Sequence, residues 1–297
     1  MSDGTPPDFA GPPPDFAGLM HHSGAHGGEK GASNPRTSAA VTFPAGLFTP
    51  RPGRAPAGAM TLAAAVQELR ITVRNGEQLL LALVIPLAAL VGMSLVHVGD
   101  LPVPRVNTAT PGVLALAIMS AAFTSQAITT GFDRRYGVLK RLAATGFPRW
   151  LLLAAKCGAT LVVVAGQFLV LCLVAWLALG WQPHGNPAWA ALLGVLGIAA
   201  FVGLALLLGG TLRAEAVLGL ANLVWLVLLA IGGVLIPLSH APGWLRVVGE
   251  LTPAGALSDG LRAVLTDGAA PGVGPIVVLV VWTLAGWLGT VRWFRWQ

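Results

Sequence analysis

Charged residues are scarce in this sequence. Only 10% of the 297 residues are Asp, Glu, Lys or Arg, whereas a soluble globular domain carries about 25%. Hydrophobic residues make up 55% of the chain. So few charged groups cannot cover the water-facing surface of a protein this size. The composition therefore excludes a soluble enzyme and indicates an integral membrane protein.

Cysteine is also rare, and the usual signatures of catalysis are missing. Cys157 and Cys172 both fall in one apolar stretch, where a single helix would separate them by roughly 22 Å, too far for a disulfide. We interpret both as packing residues. The 6 histidines are scattered without metal-ligand spacing, and no P-loop, catalytic triad or paired carboxylates occur. The sequence predicts no cofactor, no metal and no enzymatic activity in this chain.

Basic residues outnumber acidic ones, 18 to 12. They are not interleaved with aromatic residues as in a nucleic-acid-binding patch, so no nucleic acid partner is expected. With the N-terminus inside, all but Arg105, Arg246 and Arg262 lie on the inner side. Such a bias orients membrane proteins. We therefore expect a multi-pass protein of the plasma (inner) membrane with both termini in the cytoplasm.

Six apolar runs are long enough to cross a bilayer, which takes about 20 helical residues. This predicts an all-α polytopic fold. The third run could begin earlier, near Trp150, with Lys156 extending to the headgroups. The six predicted spans are 79–98, 111–132, 160–181, 188–212, 216–238 and 273–291.

The chain before the first span divides into two parts. Residues 1–58 are rich in Pro and Gly and lack apolar periodicity, which predicts a disordered cytoplasmic tail before a membrane domain over 59–297. Within 61–75, Leu62, Val66, Leu69 and Val73 form one apolar helical stripe. Thr61 is the expected cap and Asn75-Gly76 the expected stop, so we predict a short interfacial helix.

Two connections between spans carry information. The inner one, 133–149, can form a short amphipathic helix with Val138, Leu139 and Leu142 on one side and a basic face on the other. On its charge alone, simple membrane anchoring is the favoured interpretation of this segment. The outer one, 239–271, contains two helix starts, at Pro242-Gly243 and Thr252-Pro253, and a leucine stripe in the second helix. It predicts a re-entrant helical hairpin between spans five and six.

Two motifs resemble those of the type-2 ABC exporter permease family. One is FDRRYGVLKRLAAT at 132–145, continuing through Pro148-Arg149-Trp150, and the other is LTPAGALSDGLR at 251–262. The resemblance covers about residues 60–297. The sequence departs from the family pattern at Gly146, where proline is common, at Asp133, where glutamate is common, and in the N-terminal tail.

The resemblance implies a division of labour between subunits. The helix in 133–149 would be a coupling helix resting on a separate ABC ATPase subunit, which binds ATP and Mg, and 61–75 would be the connecting helix. A second permease copy, identical or related, and membrane lipid are the other implied partners. The residues implied in ATPase coupling are Asp133, Arg134, Arg135, Tyr136, Gly137, Lys140 and Arg141.

The exported substrate is expected to be amphipathic: a drug, an antibiotic or a lipid-like molecule. Polar residues within spans are candidates for the substrate path, although hydrogen bonding between helices would explain them too. They are Ser120, Thr124, Gln126, Thr129, Gln167 and Asn222. Two alternatives stay open: an ion-coupled secondary transporter, which the lack of mid-span acidic residues disfavours, and a non-transport membrane scaffold.

Overall fold

A computed structural model describes residues 55–95 and 104–295. Within these ranges the regular structure is helical. It includes a π-helix, Ser120–Ser125, and a 3₁₀ turn, Leu238–His240, in addition to α-helices. The α-helices are α1 (Ala57–Arg74), α2 (Gly76–Leu95), α3 (Arg105–Met119), α4 (Gln126–Arg135), α5 (Val138–Ala144), α6 (Arg149–Leu179), α7 (Pro187–Thr211), α8 (Ala214–Ile231), α9 (Gly243–Glu250), α10 (Pro253–Leu265) and α11 (Val273–Trp293).

Five of the described helices are long and apolar enough to cross a membrane. The first of them is a continuous 31-residue helix, Arg105–Arg135, that includes α3, the π-helix and α4. The other four are α6, α7, α8 and α11, and α2 adds a shorter apolar stretch, Ala82–Leu95. The predicted all-α polytopic membrane fold is confirmed. The end of the first predicted span, 96–98, lies outside the described residues, as do residues 1–54 of the predicted tail.

The bounds of three predicted spans differ from the helices. The second was expected at 111–132, but its helix begins at Arg105, with Pro111 inside it. The third was placed at 160–181 with an earlier start near Trp150 left open, and α6 begins at Arg149, next to that earlier start. Lys156 is buried rather than extended to the headgroups. The fifth was expected to reach residue 238, but α8 ends at Ile231. Gly233 follows with a φ of 59°, in the left-handed region that glycine adopts readily.

Helix α1 begins four residues before the expected Thr61 cap. Thr61 lies inside the helix, and its hydroxyl donates to the Ala57 carbonyl. One face of α1 packs on α6, where the Cβ of Ala65 faces Gly158. The valines and leucines of the predicted stripe divide between faces: Leu62, Val66 and Val73 are exposed, whereas Leu69 is half-buried. An exposed apolar stripe beside a packed face suits a helix lying in the membrane interface.

Helix α7 is the centre of the bundle, with α4 on one side and α11 on the other. The contact with α11 is backbone to backbone. A Cβ added at Gly286 would lie 2.9 Å from the Gly203 carbonyl carbon. Two hydrogen bonds cross the same contact, from Trp287 Nε1 to the Ala199 carbonyl at 3.1 Å and from Thr290 Oγ1 to the Gly203 carbonyl at 3.0 Å. Small residues at such contacts are typical of membrane helix packing.

Helices α9 and α10 form a pair at the end of the bundle opposite α5. Thr252 caps α10 as its Thr-Pro sequence predicts, accepting a hydrogen bond from the Gly255 amide at 3.0 Å. The leucine stripe of α10, Leu257, Leu261 and Leu265, is buried. These two short helices between α8 and α11 are the helical hairpin that the sequence predicts for this connection.

Candidate functional site

Helix α4 ends in a tight turn that leads directly into α5. The Tyr136 amide donates to the Phe132 carbonyl at 2.9 Å, and the Gly137 amide donates to the Arg134 carbonyl at 3.1 Å. Gly137 then adopts a φ of 72°, which disfavours any residue with a Cβ. The turn ends α4 and immediately precedes α5, so Gly137 sets the direction of the short helix that follows.

Helix α5 is amphipathic, and its outer face is exposed. Leu139 is buried and Leu142 half-buried, so these two residues hold α5 against the bundle. Val138, expected on the same side, is instead 48% exposed. It joins an exposed surface of mixed apolar and basic character. We call this surface the α5 face, and it consists of Tyr136, Val138, Lys140, Arg141 and the neighbouring Trp150.

The two arginines before the turn contact their own chain. Arg134 donates from Nη1 to the Gly210 carbonyl at 2.7 Å and from Nη2 to the Leu212 carbonyl. These carbonyls lie at the C-terminal end of α7, where helix carbonyls lack intrahelical partners and the helix dipole favours a cation. Arg135 pairs with Glu215 at the start of α8. The structure thus places both arginines at contacts that hold α4, α7 and α8 together.

Asp133 belongs to a buried ionic cluster that the sequence did not reveal. Lys156, in α6, is only 1% exposed. Its Nζ lies 2.5 Å from Glu68 Oε1 of α1 and 3.5 Å from Asp133 Oδ2 of α4. We call Glu68, Asp133 and Lys156 the ionic triad. The available sequence signal was a lysine within an apolar helix, which requires either access to water or a buried acidic partner.

The far end of α5 is tied to α11. Gly146 adopts a φ of 71°, and Thr145 donates from its hydroxyl to the Leu142 carbonyl at 2.7 Å. Arg149, at the start of α6, donates to the Val291 carbonyl of α11 at 2.7 Å. Arg134, Arg135 and Arg149 therefore connect the segments on either side of α5 to α7, α8 and α11.

The candidate substrate-path residues bond to different neighbours. Ser120 accepts from Trp225 Nε1 at 3.1 Å, and Gln167 donates to the Ala82 carbonyl at 2.9 Å. Asn222 is exposed and donates to the Leu218 carbonyl of its own helix at 2.9 Å. These three contacts fit helix packing as well as they fit a transport path.

Gln126 is the candidate that lines a cavity. It donates from Nε2 to Thr160 Oγ1 at 3.1 Å, beside a cavity of about 50 Å³. Among the described residues, Gln126 Oε1 and the buried Thr124 hydroxyl have no hydrogen-bond partner. Thr124 lies in the π-helix, an element that often occurs at functional sites.

A larger cavity of about 650 Å³ lies at the opposite end, between α9, α10 and α11. Two ion pairs border it: Arg246–Glu250 at 2.7 Å and Asp259–Arg262 at 3.3 Å. Burial raises the pKa of the Asp259 carboxyl, an effect that the nearby Arg262 opposes. Arg262 donates from Nη2 to the Val234 carbonyl at 2.7 Å, so it also fixes the bend after α8.

The bundle of apolar helices, with the hairpin at one end and the exposed amphipathic α5 at the other, defines a polytopic helical membrane protein. The sequence matches the ABC-2 type transporter family over residues 61–266, more than half of the chain, and the protein belongs to that family. The match begins within α1 and ends just after α10. A comparison with curated proteins finds no match.

Proposed function

We propose that this chain is the permease subunit of an ATP-driven exporter and that its α5 face is the docking site of a separate ATPase subunit. Family membership supports the permease role. The observation that carries the docking site is the α5 face itself. It exposes two cations beside Tyr136 and Val138, which are 69% and 48% exposed. Apolar groups beside cations suit a protein groove with an acidic rim.

The partner subunit would bind ATP and Mg and hydrolyse the nucleotide. Two permease copies, identical or related, and two ATPase subunits would complete the transporter in the plasma membrane, with both permease termini and the α5 face in the cytoplasm. The exported molecule would be an amphipathic drug, an antibiotic or a lipid-like compound.

A double charge reversal on the α5 face tests the docking site. Lys140→Glu with Arg141→Glu should weaken co-purification of the ATPase subunit by about tenfold or more, roughly 1.4 kcal/mol, because attraction to an acidic rim becomes repulsion. Arg213→Glu with Arg292→Glu is the matched control, since both residues are exposed and basic but lie outside the α5 face. Arg134 and Arg135 are left intact because they hold the bundle together.

The assay is affinity purification in mild detergent with mass spectrometry of the bound proteins. Loss of a P-loop ATPase in the α5 variant but not in the control is the expected result. Equal ATPase recovery from both variants would refute docking at the α5 face. Failure to recover any ATPase with the unaltered chain, from several detergents and from nanodiscs, would argue against an ATP-driven exporter.

A further inference from the structure

The ionic triad joins three helices that are separate in the sequence. Glu68 is in α1, Asp133 is in the last turn of α4, and Lys156 is in α6. Asp133 precedes Tyr136, the first residue of the α5 face, by less than one helical turn. A single ammonium group therefore connects α1 to the segment that carries the α5 face.

The charges of the triad do not balance. Two carboxylates surround one ammonium, and both carboxylates are mostly shielded, with Glu68 17% and Asp133 26% exposed. A buried ion pair is a poor source of stability, because desolvation offsets much of the attraction, but it fixes geometry. A neutral pair would need only one of the two carboxylates. The second carboxylate adds a connection to another helix.

Packing between α1 and α6 is extensive, but at this level it uses small side chains. A Cβ added at Gly158 would lie 3.7 Å from the Cβ of Ala65, an ordinary van der Waals separation. The larger apolar side chains of α1, Leu62, Val66 and Val73, are exposed and contribute little to this contact. The Glu68–Lys156 bond adds a directional contact between α1 and α6 to this packing.

We propose that Lys156 is a positioning residue that makes α1 part of the coupling unit. By holding Glu68 and Asp133 together, it causes α1 and the α5 face to move as one rigid body when a partner engages α5. The proposal rests on the proposed function for its biological role, since the coupling unit is the part that the ATPase subunit would move. The rigid connection itself exists in the chain alone and is testable without any partner.

Glu68→Gln is the sharpest perturbation. It removes the surplus negative charge and leaves a neutral Lys156–Asp133 pair, so the buried lysine keeps a counter-ion and the fold is retained. Glu215→Gln is the matched control. It makes the same chemical change in another ion pair at this end of the bundle, but that pair is exposed and does not involve α1.

Distances between α1 and α5 provide the readout. Spin labels are attached at Gln67→Cys and Ala144→Cys, two exposed positions, after Cys157→Ala and Cys172→Ala remove the native thiols. Pulsed electron paramagnetic resonance in nanodiscs then measures the distance distribution. We expect a narrow distribution for the unaltered triad and for Glu215→Gln, and a severalfold broader one for Glu68→Gln.

Glu68→Leu also removes the hydrogen-bond acceptor that glutamine keeps, and it should broaden the distribution at least as much. Distributions for both variants as narrow as that of the unaltered triad would overturn the proposal, because packing would then fix α1 without Lys156. A second arm adds the co-purified ATPase subunit with ATP and vanadate. The distance should stay constant with the intact triad and change in Glu68→Gln. Failure to recover an ATPase would count against the proposed function only, since the first arm decides the role of Lys156 without it.

Discussion

The contact between α7 and α11 predicts that Gly286→Ala destabilises the protein although alanine favours a helix. The new Cβ would lie 2.9 Å from both the Gly203 carbonyl carbon and the Leu204 nitrogen, where ordinary contacts begin at 3.4 Å. Both obstructing atoms belong to the backbone, so no side chain can rotate away. The helices would have to separate by roughly 0.5–1 Å to restore normal carbon contact distances.

The expected loss of stability in Gly286→Ala is the balance of three contributions. Overpacking costs about 1–3 kcal/mol. Stretching the Trp287–Ala199 and Thr290–Gly203 hydrogen bonds adds up to about 0.6 kcal/mol for each in a membrane protein. Replacing glycine by alanine within a helix returns about 1 kcal/mol. We expect a net loss of about 1–2 kcal/mol, which should appear as a lower melting temperature in detergent.

Gly166→Ala in α6 is the matched control. An added Cβ there meets no atom within 4 Å, so only the helix-propensity gain remains and the melting temperature should hold or rise. The assay is size-exclusion chromatography of both variants after heating over a temperature series. If Gly286→Ala melts at or above the unaltered protein, the two backbones are not in limiting contact and the reasoning is refuted.

Three further predictions concern the two ends of the bundle. Gly137→Ala should reduce ATPase co-purification, because a φ of 72° strains alanine by about 1–2 kcal/mol and α5 would shift; unchanged recovery would show that the direction of α5 is unimportant. Arg134→Ala should lower the melting temperature, since it leaves the Gly210 and Leu212 carbonyls without a charged donor, at a cost of about 1.5–3 kcal/mol; an unchanged melting temperature would contradict this. Because the folded-state pKa of Asp259 is raised, its stabilising contribution is present below the ordinary carboxyl pKa and is lost as the pH rises through the raised value. Asp259→Asn should therefore flatten the acid-side change of melting temperature with pH, and an identical pH profile would contradict the assignment.

Local signals in the sequence predicted the elements that depend on local chemistry. Thr252-Pro253 identified the start of α10 because a side-chain cap and a proline both act within one turn. The surroundings of Lys156 could not be predicted in this way. An earlier start of the third span, near Trp150, was left open with Lys156 extended to the headgroups, whereas in the fold Lys156 pairs with Glu68, which is far away in the sequence. Partners distant in sequence leave no local signal.

The candidate site likewise has features that local sequence signals predicted and features that they did not. The pattern of α5 predicted Val138, Leu139 and Leu142 on one side and a basic face on the other. In the structure Leu139 is buried, Leu142 is half-buried and Val138 is exposed, and Lys140 and Arg141 are exposed as predicted. It did not reveal that Arg134 would turn to the end of α7. The direction of that side chain depends on how α4 is rotated about its axis, and the π-helix before α4 changes the residues per turn there. The roles of these residues in ATPase coupling stay predictions.

Burial of Lys156 has a consequence for the biogenesis of the protein. The lysine lies about 10 Å along α6 from Arg149, closer to that end than to the middle of the helix. An uncompensated lysine in an inserting helix costs up to about 2.5–3.5 kcal/mol, the value at the helix centre. Glu68 and Asp133 precede Lys156 in the chain, so the ribosome completes both carboxylates before the lysine emerges. The two carboxylates that neutralise Lys156 are therefore synthesised before helix α6 enters the membrane.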